Sequence, residues 1–207
     1  MREIDSVAVP IHEDDIDSGR IFPSRFLRKP YSGNYADYLF HDERHDAAGR
    51  RHHAHVLDQP AYGGAGILVA GHNFGCGSSR ESAVHALRDA GLRCVIAGSL
   101  GEIFEANCQR NGILAITLAG EDLDRLMAQL MRAPGSRVVV EIERQRVIFP
   151  EGDSAPFLVD AHWLAYFKAG SSELETAEQW LSRIEDFRRR YEERYPWLAG
   201  TRDAGRR

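Results

Sequence analysis

Short apolar runs bounded by glycine alternate, in the second half of this chain, with segments whose apolar positions recur every three or four residues. Residues 66–71 are apolar and end in glycine on both sides, which predicts a buried strand. After the polar loop 72–79, residues 79–90 carry Ala83, Leu87 and Ala90 on one helical face, and Gly91 is placed to stop that helix. Residues 93–97 predict a second buried strand. Ser99 is placed to cap a helix running to Asn111, with Gly112 as its stop, and residues 113–118 predict a third strand. Strand, helix, strand, helix, strand with short links implies parallel pairing through right-handed crossovers.

Residues 120–131 then predict an amphipathic helix with Leu123, Leu126 and Leu130 inward, broken by Pro134 and Gly135. Residues 137–143 and 145–149 read as paired strands, and 160–167 as a short helix ending near Gly170. Residues 173–195 predict a long charged helix whose apolar stripe includes Leu174, Ala177, Leu181 and Ile184, with Pro196 after it. Such a stripe packs on its own domain or binds a partner. The tail 201–207 reads as disordered. The first half is less regular. Residues 7–10 predict a short strand and 12–19 an acidic turn, while 28–59 form a long excursion rich in Gly, Asp, His and Tyr. A loop of that length in a compact domain is usually functional or mobile.

Composition narrows the function classes. The 207 residues are 43% hydrophobic and 28% charged, with a net charge of −5, and the one basic cluster, Arg188 to Arg190, sits among acids, so nothing points to a nucleic-acid face. No apolar run approaches the roughly 20 residues of a membrane span, and the N-terminus has no apolar leader core, so a cytoplasmic protein is expected. Cys76, Cys94 and Cys108 are scattered and form no C-x-x-C pair. A disulfide framework, a structural zinc or an iron–sulfur cluster held by this chain alone is not expected. His52, His53 and His55, with His41 and His45 nearby, offer metal-ligand chemistry, but the segment has no helical pattern and no carboxylate at fixed spacing, which favours a solvated loop.

The chemistry-bearing stretch is Gly71 to Ser82, between a predicted strand and a predicted helix. Gly75 and Gly77 let the backbone turn sharply and approach a ligand. Ser78, Ser79 and Arg80 follow at the helix start, where N–H groups and the helix dipole attract anions. Arg80 adds a planar fork suited to a carboxylate. A serine there could act as proton acceptor if those donors stabilised its alkoxide. These residue types give either an anionic small-molecule site or a glycine-rich turn with an ordinary serine cap. A phosphate-binding loop lacks its Gly-Lys-Ser/Thr, and a G-x-S-x-G nucleophile elbow is absent.

Asn73-Phe74-Gly75-Cys76-Gly77-Ser78-Ser79-Arg80-Glu81 closely resembles the signature of the isopropylmalate dehydratase small-subunit family and, more broadly, of the last domain of aconitase. Ile16-Asp17-Ser18 with Ile21-Phe22-Pro23-Ser24-Arg25-Phe26-Leu27 resembles the family's N-terminal motif. Residues 56–60 and 64–68 resemble its run into the signature strand, 99–112 its next helix, and Tyr195-Pro196-Trp197-Leu198 its C-terminal end. The resemblance implies an α/β fold: a swivelling β/β/α domain over residues 1–170, with 28–59 as a substrate-selecting excursion, a C-terminal helix over 171–198 and a tail over 199–207. It implies a heterodimer or heterotetramer with a large subunit that carries a 4Fe-4S cluster, acting as Lewis acid on the leaving hydroxyl. The implied activity is a hydro-lyase step of leucine biosynthesis, which interconverts 2-isopropylmalate and 3-isopropylmalate, a small dicarboxylate substrate. Ser78 matches the catalytic base. Ser79, Arg80 and Gly77 match substrate-binding positions, with Asp17, Arg20, Arg25 and Cys76 as possible lining.

Two positions depart from that pattern. Gly19, followed by Arg20, stands where the family motif carries a second acid, and Ser82 where the signature carries histidine. The sequence therefore leaves open a related dehydratase subunit for dimethylmalate, citramalate or homocitrate, and a non-catalytic dicarboxylate-binding module.

Overall fold

The three glycine-bounded apolar runs become adjacent parallel strands in the structure, a computed structural model that describes residues 3–31, 33–46, 48–51, 54–78, 80–169 and 180–197. They are β2 (Ile67–Ala70), β3 (Cys94–Ala97) and β4 (Leu114–Thr117). The expected strand at 7–10 is longer: β1 spans Glu3–Ile11. Its second half pairs in parallel with β2 from Ala8 to Ile11, and its first half pairs antiparallel with β5 (Arg137–Glu141). Antiparallel β6 (Arg146–Ile148) and β7 (Ser154–Pro156) follow, giving one seven-stranded order, β4-β3-β2-β1-β5-β6-β7. β7 carries only three residues, too few for an alternating pattern to show in the sequence.

Both faces of the sheet are covered, which explains why β2 and β3 read as continuous apolar runs. Successive side chains point to opposite faces. Leu68, Ala70, Val95 and Ala97 pack against α3 (Glu81–Asp89) and α4 (Glu102–Arg110). Ile67, Val69, Cys94 and Ile96 pack in a second cluster with α5 (Gly120–Arg132), the antiparallel strands, and Phe167 of α6 (Ala161–Ala169). The inward stripe of α5 is the expected one, and burying Leu126 or Leu130 stabilises by roughly 1.5–3 kcal/mol each.

Gly91 and Gly112 end α3 and α4 as expected. The Gly91 N–H donates to the Arg88 carbonyl and Leu92 N–H to Leu87 carbonyl, and Gly112 and Ile113 repeat the pattern on Gln109 and Cys108. The helix starts differ from the sequence reading. α3 begins at Glu81, with Arg80 as its cap residue and no side-chain cap bond. α4 is capped by Gly101 and not by Ser99. The Ser99 hydroxyl accepts from the Asn73 N–H instead, at 2.7 Å.

Segment 28–59 is irregular but well anchored. It holds short turns at Ala36–Tyr38 and Val56–Asp58 and the one-turn α2 (His41–Arg44). Tyr35, Leu39 and Phe40 are buried against the first face of the sheet. The Arg44 guanidinium is also buried and forks onto Asp58, with both bonds at 2.8 Å, while donating to the Leu39 carbonyl at 2.9 Å. The solvated histidine loop therefore needs correcting. His41 and His45 stack at 4.0 Å, and His55 is largely buried, accepting from the Leu57 N–H. His52 and His53 lie outside the described residues.

The chain divides into two compact units, Met1–Ala169 and Gly170–Arg207. The second contains α7 (Leu181–Arg194), which ends before Pro196; Leu174, Ala177 and the 201–207 tail lie outside the described residues. Among the described residues, no helix is long and apolar enough to cross a membrane.

Candidate functional site

The loops leaving β1, β2 and β3 meet at the carboxyl ends of these parallel strands, the edge at which open α/β sheets commonly bind ligands. The first loop (12–17) enters α1 (Ser18–Ile21), the second (71–80) enters α3 and the third (98–101) enters α4. Backbone bonds fasten them together. Gly75 N–H donates to the Ile16 carbonyl at 2.8 Å, and Ser18 N–H to the Cys76 carbonyl at 2.9 Å. Phe74 N–H donates to the Ser99 carbonyl at 3.1 Å, and Gly101 N–H to the Phe74 carbonyl at 2.9 Å. Phe74 is fully buried and meets the Phe104 ring edge-on at 5.4 Å, so the signature loop is nailed into the core at its midpoint.

Two glycines then shape the exposed turn. Gly75 has φ +74°, and a Cβ on it would fall 2.2 Å from the Phe104 ring. Gly77 has φ +85° and is uncrowded, with Asp17 Cβ at 3.8 Å and Ser18 Oγ at 4.0 Å from where its Cβ would be. Both φ values lie in the left-handed region, where glycine alone is unstrained. Beyond them Gly77, Ser78 and Arg80 are exposed; Ser79 lies outside the described residues.

The turn brings some of the sequence candidates together and leaves others apart. Asp17 pairs across the loops with Cys76. Its carboxylate caps α1, accepting from Gly19 N–H at 2.6 Å and Arg20 N–H at 3.1 Å. A Cβ at Gly19 would stand 2.9 Å from that carboxylate oxygen, so the missing second acid goes with a tight cap. Arg20 is committed elsewhere: it forks onto Glu13 at 2.6 and 2.9 Å and donates to Glu43 at 2.9 Å. That bond from Arg20 holds the Glu13 carboxyl below its usual range. Arg25 forks onto Asp42 in α2 and lies over the Phe26 ring at 4.5 Å. Arg80, by contrast, pairs with no carboxylate among the described residues. It is exposed at the cap position of α3, two residues after Ser78.

The three cysteines are free thiols. Partial burial, with Asp17 and Asp15 nearby, pushes the Cys76 thiol up. Cys94 and Cys108 are buried in the clusters on opposite faces of the sheet, and burial pushes both up further. Among the described residues, no group of three or more His, Cys, Asp or Glu is placed to hold a metal ion.

Sequence reasoning passed over Asp14, Asp15 and Ser99 as turn and cap residues. His72 N–H donates to Asp14 Oδ1 at 2.6 Å, and Asn73 Nδ2 donates to Asp15 Oδ1 at 2.7 Å. The only signal was acidic density ahead of the N-terminal motif, which any solvated turn also shows.

A family model described as the aconitase C-terminal domain matches residues 2–121, which include the whole of this loop cluster. The 3-isopropylmalate dehydratase small subunit 2 of Bordetella parapertussis is 39% identical over 193 residues, 93% of this chain and 96% of that protein. The small subunit from Dinoroseobacter shibae is 37% identical over 196 residues, covering 95% of this chain and 98% of its own. The crystal structure of 3-isopropylmalate dehydratase from Methanocaldococcus jannaschii shares the fold, with a TM-score of 0.65 at 23% identity, covering 89% of this chain and 99% of that one. A matched family model over more than half of the chain, and relatives matched over nearly their full length, give one conclusion: the chain belongs to the aconitase C-terminal domain family, among the small subunits of 3-isopropylmalate dehydratases.

Proposed function

We propose that this chain is the small subunit of a hydro-lyase that interconverts 2-isopropylmalate and 3-isopropylmalate by dehydration and rehydration. The observation that carries the reading is the exposed Ser78 and Arg80, just before α3, on a loop fastened through Phe74, Gly75 and Cys76. The near full-length similarity to dehydratase small subunits supports the same activity. A substituted malate has two carboxylates and a proton on carbon next to one of them. Arg80 offers two parallel donors for one carboxylate, and the family resemblance assigns Ser79 to the same substrate. Gly77 lets the backbone come close to the substrate. Ser78 takes the proton from carbon and returns it in the reverse step. Its alkoxide depends on the positive end of α3 and on the Arg80 charge, in a site that the large subunit would close to water. Asp17 and Cys76 line the base of the turn. Arg20 and Arg25 serve at one remove, by holding the carboxylates of segment 28–59. That segment selects the substrate's side group, and the buried Arg44–Asp58 fork keeps it in place.

The reading requires a second chain. Similarity to dehydratase small subunits supports a large subunit that would carry a 4Fe-4S cluster and supply Lewis acidity toward the leaving hydroxyl. The two chains form a heterodimer or heterotetramer in the cytoplasm, where the three thiols remain reduced. Ser78→Ala tests the assignment in the complex with the large subunit. Turnover should fall at least ~100-fold, with the melting temperature unchanged because Ser78 is exposed. Kinetics equal to wild type would remove Ser78 from the role.

A further inference from the structure

Four described non-glycine residues have positive φ, and two of them, Asp15 and Asn73, both at +56°, face each other beside the signature loop. Side chains avoid this region, and residues persist there when their surroundings over-determine them. Here four bonds do so. Asn73 Nδ2 donates to Asp15 Oδ1 at 2.7 Å, and Asp15 N–H donates to the His72 carbonyl at 2.9 Å. His72 N–H donates to Asp14 Oδ1 at 2.6 Å, and Asn73 N–H donates to Ser99 Oγ at 2.7 Å. Asn73 thus grips the loop before α1 with its side chain and the loop before α4 with its backbone. Two residues further on, the signature loop continues into the bonds from Gly75 and to Cys76 that lead to Ser78.

We propose that Asn73 and Asp15 form a latch that positions the Ser78–Arg80 turn, with Asn73 as a positioning residue for the reaction proposed above, on which this inference rests. Both side chains are exposed, so the latch buries no apolar surface and adds little to global stability. Its effect falls on the loop. The carboxamide is required as a donor toward a carboxylate, and both residue types tolerate the left-handed region better than other side chains. An exchange of the two side chains should therefore preserve the latch, while a carboxylate on both sides should open it.

The test compares wild type, Asn73→Asp, and the exchanged pair Asp15→Asn with Asn73→Asp. Amide hydrogen exchange at residues 75–78 of this chain reads the latch without substrate. Steady-state kinetics on 2-isopropylmalate, in complex with the large subunit, read its consequence. Asn73→Asp should speed exchange at residues 75–78 and lower kcat on the order of 100-fold, the scale of a misplacement of about 1 Å. The melting temperature should barely move. The exchanged pair should restore slow exchange and most of the lost kcat. Unchanged exchange in Asn73→Asp, an exchanged pair as impaired as the single variant, or a kcat loss that tracks a loss of melting temperature would each overturn the latch. If exchange follows the expected pattern while the wild-type complex does not turn over isopropylmalate, the latch stands and the proposed function fails.

Discussion

Gly75 and Gly77 offer a matched pair for the claim that the signature loop is nailed to the core at one end and open at the other. Their φ values, +74° and +85°, carry a similar penalty for any side chain, about 1–2 kcal/mol. Their surroundings differ. An alanine Cβ at Gly75 would stand 2.2, 2.5 and 2.6 Å from three atoms of the Phe104 ring, which is fully buried and held edge-on by Phe74. Overpacking of that kind adds about 1–3 kcal/mol. At Gly77 the nearest atoms stand at 3.8 and 4.0 Å, ordinary contact. Gly75→Ala should therefore destabilise by about 2–5 kcal/mol and Gly77→Ala by about 1–2 kcal/mol. Urea unfolding measures both, read as a shift of midpoint at constant slope. Phe104→Leu should recover part of the Gly75→Ala loss in a double-mutant cycle, with a coupling of about 0.5–3 kcal/mol. Equal losses at the two glycines, or no coupling to Phe104, would refute the picture of a core-anchored loop.

Two further substitutions separate chemistry from architecture. Arg80→Lys keeps the charge and loses the planar fork, so KM should rise and kcat fall in the reconstituted complex, while the melting temperature stays put; unchanged kinetic constants would make Arg80 an ordinary solvated residue. Asp58→Ala leaves the Arg44 guanidinium buried without its carboxylate, so it should cost about 3–5 kcal/mol in denaturant unfolding. A loss under about 1 kcal/mol, the scale of surface pairs, would show that water reaches Arg44.

What the sequence made legible follows from how local each signal is. The strands at 67–70, 94–97 and 114–117, and the glycine stops at 91 and 112, depend on short stretches of chain and were found within a residue or two. Helix starts came within two residues, but their caps did not, because Ser99 has the chemistry of a cap and is recruited by Asn73, a partner 26 residues away. Segment 28–59 hid its order for the same reason. Arg44 and Asp58 look like surface charges until the fold buries both, and Phe40 is buried at a φ of +46° that no periodicity reports. At the site, Ser78 and Arg80 stood out by type and spacing. The Asp15–Asn73 contact did not, since 58 residues separate its halves.

The most direct measurement of the central claim is reconstitution. This chain, a cluster-bearing large subunit of the same family, and their mixture would each be supplied with 2-isopropylmalate, and the appearance of 3-isopropylmalate would be followed. Turnover should occur in the mixture alone, with the pure single chain colourless and inactive. Turnover by this chain unaided, or a mixture that assembles with an intact cluster and leaves 2-isopropylmalate unchanged, would contradict the account.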